Sequence, residues 1–202
     1  MRSKQVALTA VLLTGVFLAH AGARFTQIGG AQFAPSIAIY LLMAYFLATE
    51  MKPEEKVAIA FLVGVLTMIA TSSPFPPANI PAHGGGFLVA CILTTALLSP
   101  AKVLSLTRHM LIAFITVFTS WSCFAVFTWL GLIGTSFVSS EFERFGIDFG
   151  RGFVAWFLFG ALGVAVPSLI IALIVTPILY KALRPTLVRH HVVPAKHHAS
   201  PG

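Results

Sequence analysis

Six stretches of this chain carry no Asp, Glu, Lys or Arg apart from Lys181 near the end of the last: residues 6–23, 31–49, 57–72, 86–98, 110–137 and 153–183. A bilayer's hydrocarbon core is crossed by a helix of about 20 apolar residues. Every backbone N–H and C=O in lipid must be bonded inside the protein, so uncharged runs of this kind fold as membrane helices. Only 9% of the residues are charged while 57% are apolar, far from the roughly 25% charged of soluble domains. An ordinary soluble fold is thereby excluded. With 202 residues shared among six helices and their connections, no room is left for a separate soluble catalytic domain. The expectation is an all-α polytopic protein of the cell membrane, a bundle of about six transmembrane helices. It forms one transmembrane domain over residues 1–185, followed by a polar, disordered tail over 186–202.

The net charge of +7 does not point to nucleic acid. Its cations stand singly or in pairs at the edges of the apolar runs, where they set orientation in the bilayer. With the N terminus in the cytoplasm, ten of the thirteen Lys and Arg residues fall inside: Arg2, Lys4, Lys52, Lys56, Lys102, Arg108, Lys181, Arg184, Arg189 and Lys196. Arg24, Arg144 and Arg151 fall outside. This asymmetry places both termini in the cytoplasm. Ala19-His20-Ala21 and Ala21-Gly22-Ala23 resemble signal-peptide cleavage sites, but the first run is read as a retained helix.

Several chemistries lack their residues. A carboxylate or cation deep in a span is the usual mark of a proton or ion pathway, and the interiors of the six runs hold none. No G-x-x-x-x-G-K-[ST] phosphate loop occurs, which removes that route to nucleotide hydrolysis. A serine nucleophile needs a base within reach, and His20, His83 and His109 are isolated in sequence. Cys91 and Cys123 show no metal spacing and read as small buried hydrophobes. His190, His191, His197 and His198 sit in the polar tail without Cys or carboxylate partners. The chain is therefore expected to be no enzyme and to need neither cofactor nor metal.

Residues 72–86 stand out, with four prolines and three glycines that are expected to break helix and give a shaped loop at the outer mouth of the bundle. Near that side lie Phe75, Asn79, His83, Gln32 and Trp156. Apolar walls with a few amide or imidazole groups suit a small organic ligand, while interfacial anchoring is the competing role for the tryptophans. On the first helix, Ala7, Ala10 and Thr14 form one small-residue face and Gly15, Ala19 and Ala23 a second. Such faces serve either packing within the bundle or docking of a partner.

The six spans, the small-residue first helix, the loop Phe75-Pro76-Pro77-Ala78-Asn79-Ile80-Pro81 and the last helix with Pro167 and Thr176-Pro177-Ile178-Leu179-Tyr180 together resemble the substrate-binding S components of energy-coupling factor transporters. The similarity is greatest to the tryptophan-type members and runs from about residue 5 to 183. The loop resembles a family pattern of Phe-Pro, two variable residues, Gln or Asn, then Ile-Pro. The resemblance implies a subunit that captures a small molecule, tryptophan first, from outside. A transmembrane coupling subunit and two ATPase subunits would supply the energy. It also implies that Ala10 and Thr14, in Ala10-Val11-Leu12-Leu13-Thr14, meet the coupling subunit where the family has an Ala-x-x-x-Ala element. Ala82-His83-Gly84-Gly85-Gly86 departs from the family pattern, which is more polar and charged there. A structural subunit of a larger membrane complex, or a facilitative or sodium-coupled carrier, are the alternatives.

The cation asymmetry predicts that reporter fusions place both termini in the cytoplasm and residues 73–85 outside. A cytoplasmic location for that segment would overturn the orientation.

Overall fold

The computed structural model describes residues 2–23, 27–28, 31–73, 75–98, 104–133 and 152–193. Its helices are α1 (Ser3–Gly22), α2 (Ser36–Leu47), α3 (Pro53–Ala70), α4 (Gly85–Leu98), α5 (Leu106–Leu132), α6 (Gly152–Gly160) and α7 (Val166–Arg189). A 3₁₀ turn at Pro76–Ala78 and a π-turn at Ile80–Gly84 lead into α4, and a second π-turn at Ala161–Ala165 joins α6 to α7. A two-residue antiparallel ribbon, β1 (Gln27–Ile28) with β2 (Ala31–Gln32), lies between α1 and α2.

The segments Ser3–Gly22, Pro76–Leu97, Leu106–Leu132 and Gly152–Arg189 are long and apolar enough to cross a membrane. The apolar α2 is shorter, and α3 opens on Pro53-Glu54-Glu55-Lys56. The architecture is an all-α polytopic membrane protein, as expected. Its surface bears this out. Val11, Val154 and Leu162 stand 67–68% exposed, whereas Thr67, Thr116, Thr128, Ser168 and Thr176 are buried. Side chains that would face water in a soluble protein are turned inward, and those facing out match lipid.

At the centre is α2, whose residues are all buried except Ile39. A helix that is apolar all round must be covered all round, and α1, α4 and α7 pack against it. Packing also ties in the proline of the last helix. Pro177 has no N–H, so the Leu173 carbonyl loses its intrahelical donor. His109 on α5 replaces it, with Nε2 3.3 Å from the Leu173 oxygen. A carbonyl only accepts, so Nε2 carries the proton, and Nδ1, 2.9 Å from the Tyr45 hydroxyl, accepts from it. One neutral imidazole thus joins α2, α5 and α7.

Four sequence expectations need correction. Residues 76–98 were expected to be loop and then a short span, yet they are helical almost throughout. Pro76, Pro77 and Pro81 all occupy the first positions of their turns, where an amide proton has no intrahelical acceptor to lose. The second helix begins at Ser36 rather than 31, because Ala31 and Gln32 pair in the ribbon. The third begins at Pro53 rather than 57; its Glu55 carboxylate accepts from the Lys52 backbone N–H at 2.9 Å, which caps the extra turn. Finally, the domain boundary at 185 is too early, since α7 runs to Arg189. That helix closes in a Schellman motif: His191, at φ 55°, donates to Val188, and Val192 donates to Leu187. Lys4 Nζ then donates to the His190 carbonyl at 2.8 Å, so both ends of the bundle's chain lie on one side. Residues 194–202 of the expected tail lie outside the described residues.

His109→Ala is expected to leave two buried polar groups unpaired and to lower stability in detergent by about 1–3 kcal/mol. Adding Pro177→Ala, which restores the missing N–H, should recover part of that loss. A double-mutant cycle by thermal unfolding measures the coupling, and zero coupling would refute the assignment.

Candidate functional site

The π-turn Ile80–Gly84 is held against α3 by backbone contact. A Cβ added at Gly64 would lie 2.7 Å from the Ile80 Cα, and one added at Gly84 would lie 2.7 Å from the Ala60 carbonyl oxygen. Ala60 and Gly64 stand four apart on α3, the spacing that brings small residues to one helix face and lets backbones touch in lipid. The seam carries His83 into the bundle, where it is 6% exposed.

There it meets two helices. The His20 ring of α1 is edge-to-face with it at 4.8 Å between centroids, and the Tyr40 ring of α2 lies at 6.1 Å. His20 Nδ1 is 3.1 Å from the Ser36 hydroxyl. Ser36 and Tyr40, four residues apart, share one face of α2. Gly86 lets the Tyr40 hydroxyl and Ser120 pack directly against its backbone, since a Cβ there would come within 2.9 Å of the Tyr40 hydroxyl and 3.1 Å of the Ser120 Cβ. The Tyr40 hydroxyl reaches toward Ser120 without a hydrogen bond of good geometry. His83 Nδ1 is buried with no hydrogen-bond partner among the described residues. Phe87 closes the apolar side, edge-to-face with Tyr40 at 6.3 Å.

The other expected site residues are distributed around this cluster. Asn79 is buried beside it, but its Nδ2 donates to the Pro76 carbonyl at 3.0 Å, so its amide holds the turn. Phe75 lies over Gly131 of α5, whose missing side chain makes room for the ring. Trp156 is buried edge-to-face against Trp121 at 5.4 Å rather than anchored at an interface. Trp121 Nε1 donates to the Phe157 carbonyl at 3.2 Å, and Gly160 gives its ring space. The Gln32 backbone pairs with Gln27; its side chain lies outside what is described. Ala10 and Thr14 are on the exposed side of α1 with Ala7, Val11 and Leu18, and the Thr14 hydroxyl donates to the Ala10 carbonyl at 3.0 Å. Packing within the bundle therefore does not account for this small-residue face. Gly15, on the second face, does pack inward, near Ile39.

An open cleft of about 500 Å³ on the outward side of α6, lined by Val154, Ala155, Leu158, Phe159 and Leu162, has no polar side chain to orient a ligand. Among the described residues, no three His, Cys, Asp or Glu side chains gather to hold a metal. The chemistry of the bundle is therefore concentrated in the His20–His83–Tyr40 cluster, which can donate and accept hydrogen bonds and stack on a ring. His20, Ser36, Tyr40 and Ser120 escaped the sequence reading. A histidine inside an apolar run, the Ser36/Tyr40 spacing and Ala60-x-x-x-Gly64 were the signals.

Gly84→Ala is expected to force the turn off α3 and to cost about 1–3 kcal/mol of stability, as overpacking does. Gly22→Ala is the control, because a Cβ there meets nothing within 4 Å. Equal thermal midpoints for the two variants would refute the seam.

No protein-family model, curated protein or solved structure matches the chain. Its function is accordingly argued from this cluster.

Proposed function

We propose that this protein is the substrate-binding membrane subunit of an ATP-driven importer, and that the His20–His83–Tyr40 cluster holds a small organic molecule captured from outside. One observation carries the reading: two imidazoles and a phenol are buried together in an apolar bundle, and His83 Nδ1 has no partner among the described residues. Buried polar atoms are nearly always paired, and an exception inside lipid is a mark of function. A few convergent polar atoms within aromatic walls suit an organic ligand with one ring and one polar end. Tryptophan, the substrate implied by the resemblance, has that form. Edge-to-face contacts with Tyr40 and Phe87 would each add about 0.5–1.5 kcal/mol beyond burial.

The exposed face of α1 supports the partner half of the reading. Ala7, Ala10 and Thr14 offer little bulk on an outward surface, so a second helix can approach closely there. A coupling subunit on that face, driven by two ATPase subunits, would supply the energy.

Calorimetric titration of the purified protein should show saturable tryptophan binding. His83→Ala should weaken it by roughly 10- to 100-fold, the worth of one hydrogen bond to a charged group. Ala10→Leu with Thr14→Leu should leave binding intact and abolish copurification with the coupling module. Absence of tryptophan binding would refute the substrate. Uptake into vesicles by this chain alone would replace the importer with a carrier.

A further inference from the structure

The outward side of α6 and α7 repeats every four residues. Val154, Leu158, Leu162, Val166, Ile170, Ile174 and Ile178 are all exposed, and together they form an apolar ridge. A step of four residues drifts about 40° around an α-helix, and the wider π-turn at Ala161–Ala165 takes up part of that drift. From Val154 to Ile178 the ridge rises roughly 36 Å, enough to cover a hydrocarbon core of about 30 Å. Beyond Ile178 the same face turns basic. At about 100° per residue Lys181 falls within the arc of Ile170, Ile174 and Ile178, while Arg184 and Arg189 flank that arc within about 40° on either side. Among the described residues the side chains of these three cations make no hydrogen bond or ion pair, and Lys181 and Arg189 are exposed. A fourth cation joins them from α1, because Lys4 Nζ donates to the His190 carbonyl at the end of α7; a carbonyl carries no net charge, so the ammonium keeps its own.

The two prolines of α7 mark where the hydrocarbon ends. Pro177 frees the Leu173 carbonyl, which His109 answers from inside the bundle. Pro185 likewise has no N–H for the Lys181 carbonyl, yet among the described residues no side chain takes its place. A freed carbonyl is tolerated where water reaches it and not in lipid, so the backbone at Lys181 lies at the headgroup level. Helical side chains lean toward the N-terminus of their helix. On a helix leaving the bilayer at its C terminus, the cations therefore lean back toward the headgroups. We propose that this end of α7 is a binding site for an anionic phospholipid. Lys181 and Arg184 hold the phosphate, Arg189 and Lys4 add positive charge beyond it, and an acyl chain lies along Ile170, Ile174 and Ile178. An arginine fork bonds a phosphate through two parallel N–H groups, and basic residues clustered just outside a transmembrane helix attract anionic lipid. The site is separate from the His20–His83–Tyr40 cluster and stands whether or not that cluster binds a substrate.

The test is lipid titration of the full chain in detergent, read by native mass spectrometry. Phosphatidylglycerol and phosphatidylcholine with the same acyl chains are the probes, beside glycerophosphoglycerol, which has the headgroup without chains, and a short oligonucleotide. Phosphatidylglycerol should bind at least about tenfold more tightly than phosphatidylcholine, as two or more cations at about fivefold each would give. Lys181→Gln and Arg184→Gln should each weaken phosphatidylglycerol roughly threefold to fivefold, and the two combined with Arg189→Gln should erase the preference. The single variants carry the test should the triple variant not fold. Lys52→Gln, an equal loss of charge from the exposed start of α3, should leave the preference unchanged. Equal affinity for the two lipids overturns the proposal. An equal loss in Lys52→Gln also overturns it, because the preference would then belong to the net charge of the protein. Binding of glycerophosphoglycerol or the oligonucleotide as tight as that of the lipid does the same, since the apolar ridge would then have no part.

Discussion

Where α3 meets the turn before α4, two backbones touch with no side chain between them. The contact exists because Gly64 and Gly84 have no Cβ; one at either position would lie 2.7 Å from main-chain atoms of the other element. In lipid the hydrophobic effect gives helices no reason to associate, so close van der Waals contact at small residues takes its place. That seam turns the chain after Ala70 back into the bundle. His83 comes with it, to within ring contact of His20 and Tyr40. Without the seam the histidine would have no partner helix, and the polar cluster would not form.

The same constraint shows at several other polar groups. With no water to satisfy a freed carbonyl, the helices supply donors to one another. His109 answers the carbonyl that Pro177 leaves open. Thr67 donates to the Val63 carbonyl of its own helix, and Thr176 to the Ala38 carbonyl of α2. Trp121 donates across to α6 at Phe157. Among the described residues the hydroxyls of Tyr40, Thr94, Thr116 and Thr128 are buried without a hydrogen bond as His83 Nδ1 is, but only His83 lies in ring contact with both His20 and Tyr40, and that clustering separates it from the structural network around His109.

Much of the architecture was legible in the apolar runs, because the requirement for internal hydrogen bonding in lipid leaves a chain little choice but helix. The proline-rich segment misled for a definite reason: proline breaks a helix in its interior but not in its first turn, and Pro76, Pro77 and Pro81 all stand in first turns. Of the candidate site, His83 was visible as a polar residue in an unusual loop. Its partners were not, because His20 and His83 are separated by 62 intervening residues in the sequence, and only the α3 seam brings them together. Phe75 and Asn79 looked like ligand contacts, but Gly131 gives one a place to pack and the Pro76 carbonyl occupies the amide of the other.

The central claim is that the His20 and His83 imidazoles lie side by side inside the bundle, and solid-state NMR of the histidine-labelled protein in liposomes tests it most directly. A centroid separation of 4.8 Å predicts a strong through-space correlation between the two rings and none from either to His109. If the His20–His83 correlation is absent in a sample where the His109–Tyr45 contact at 2.9 Å is observed, the cluster does not exist as described.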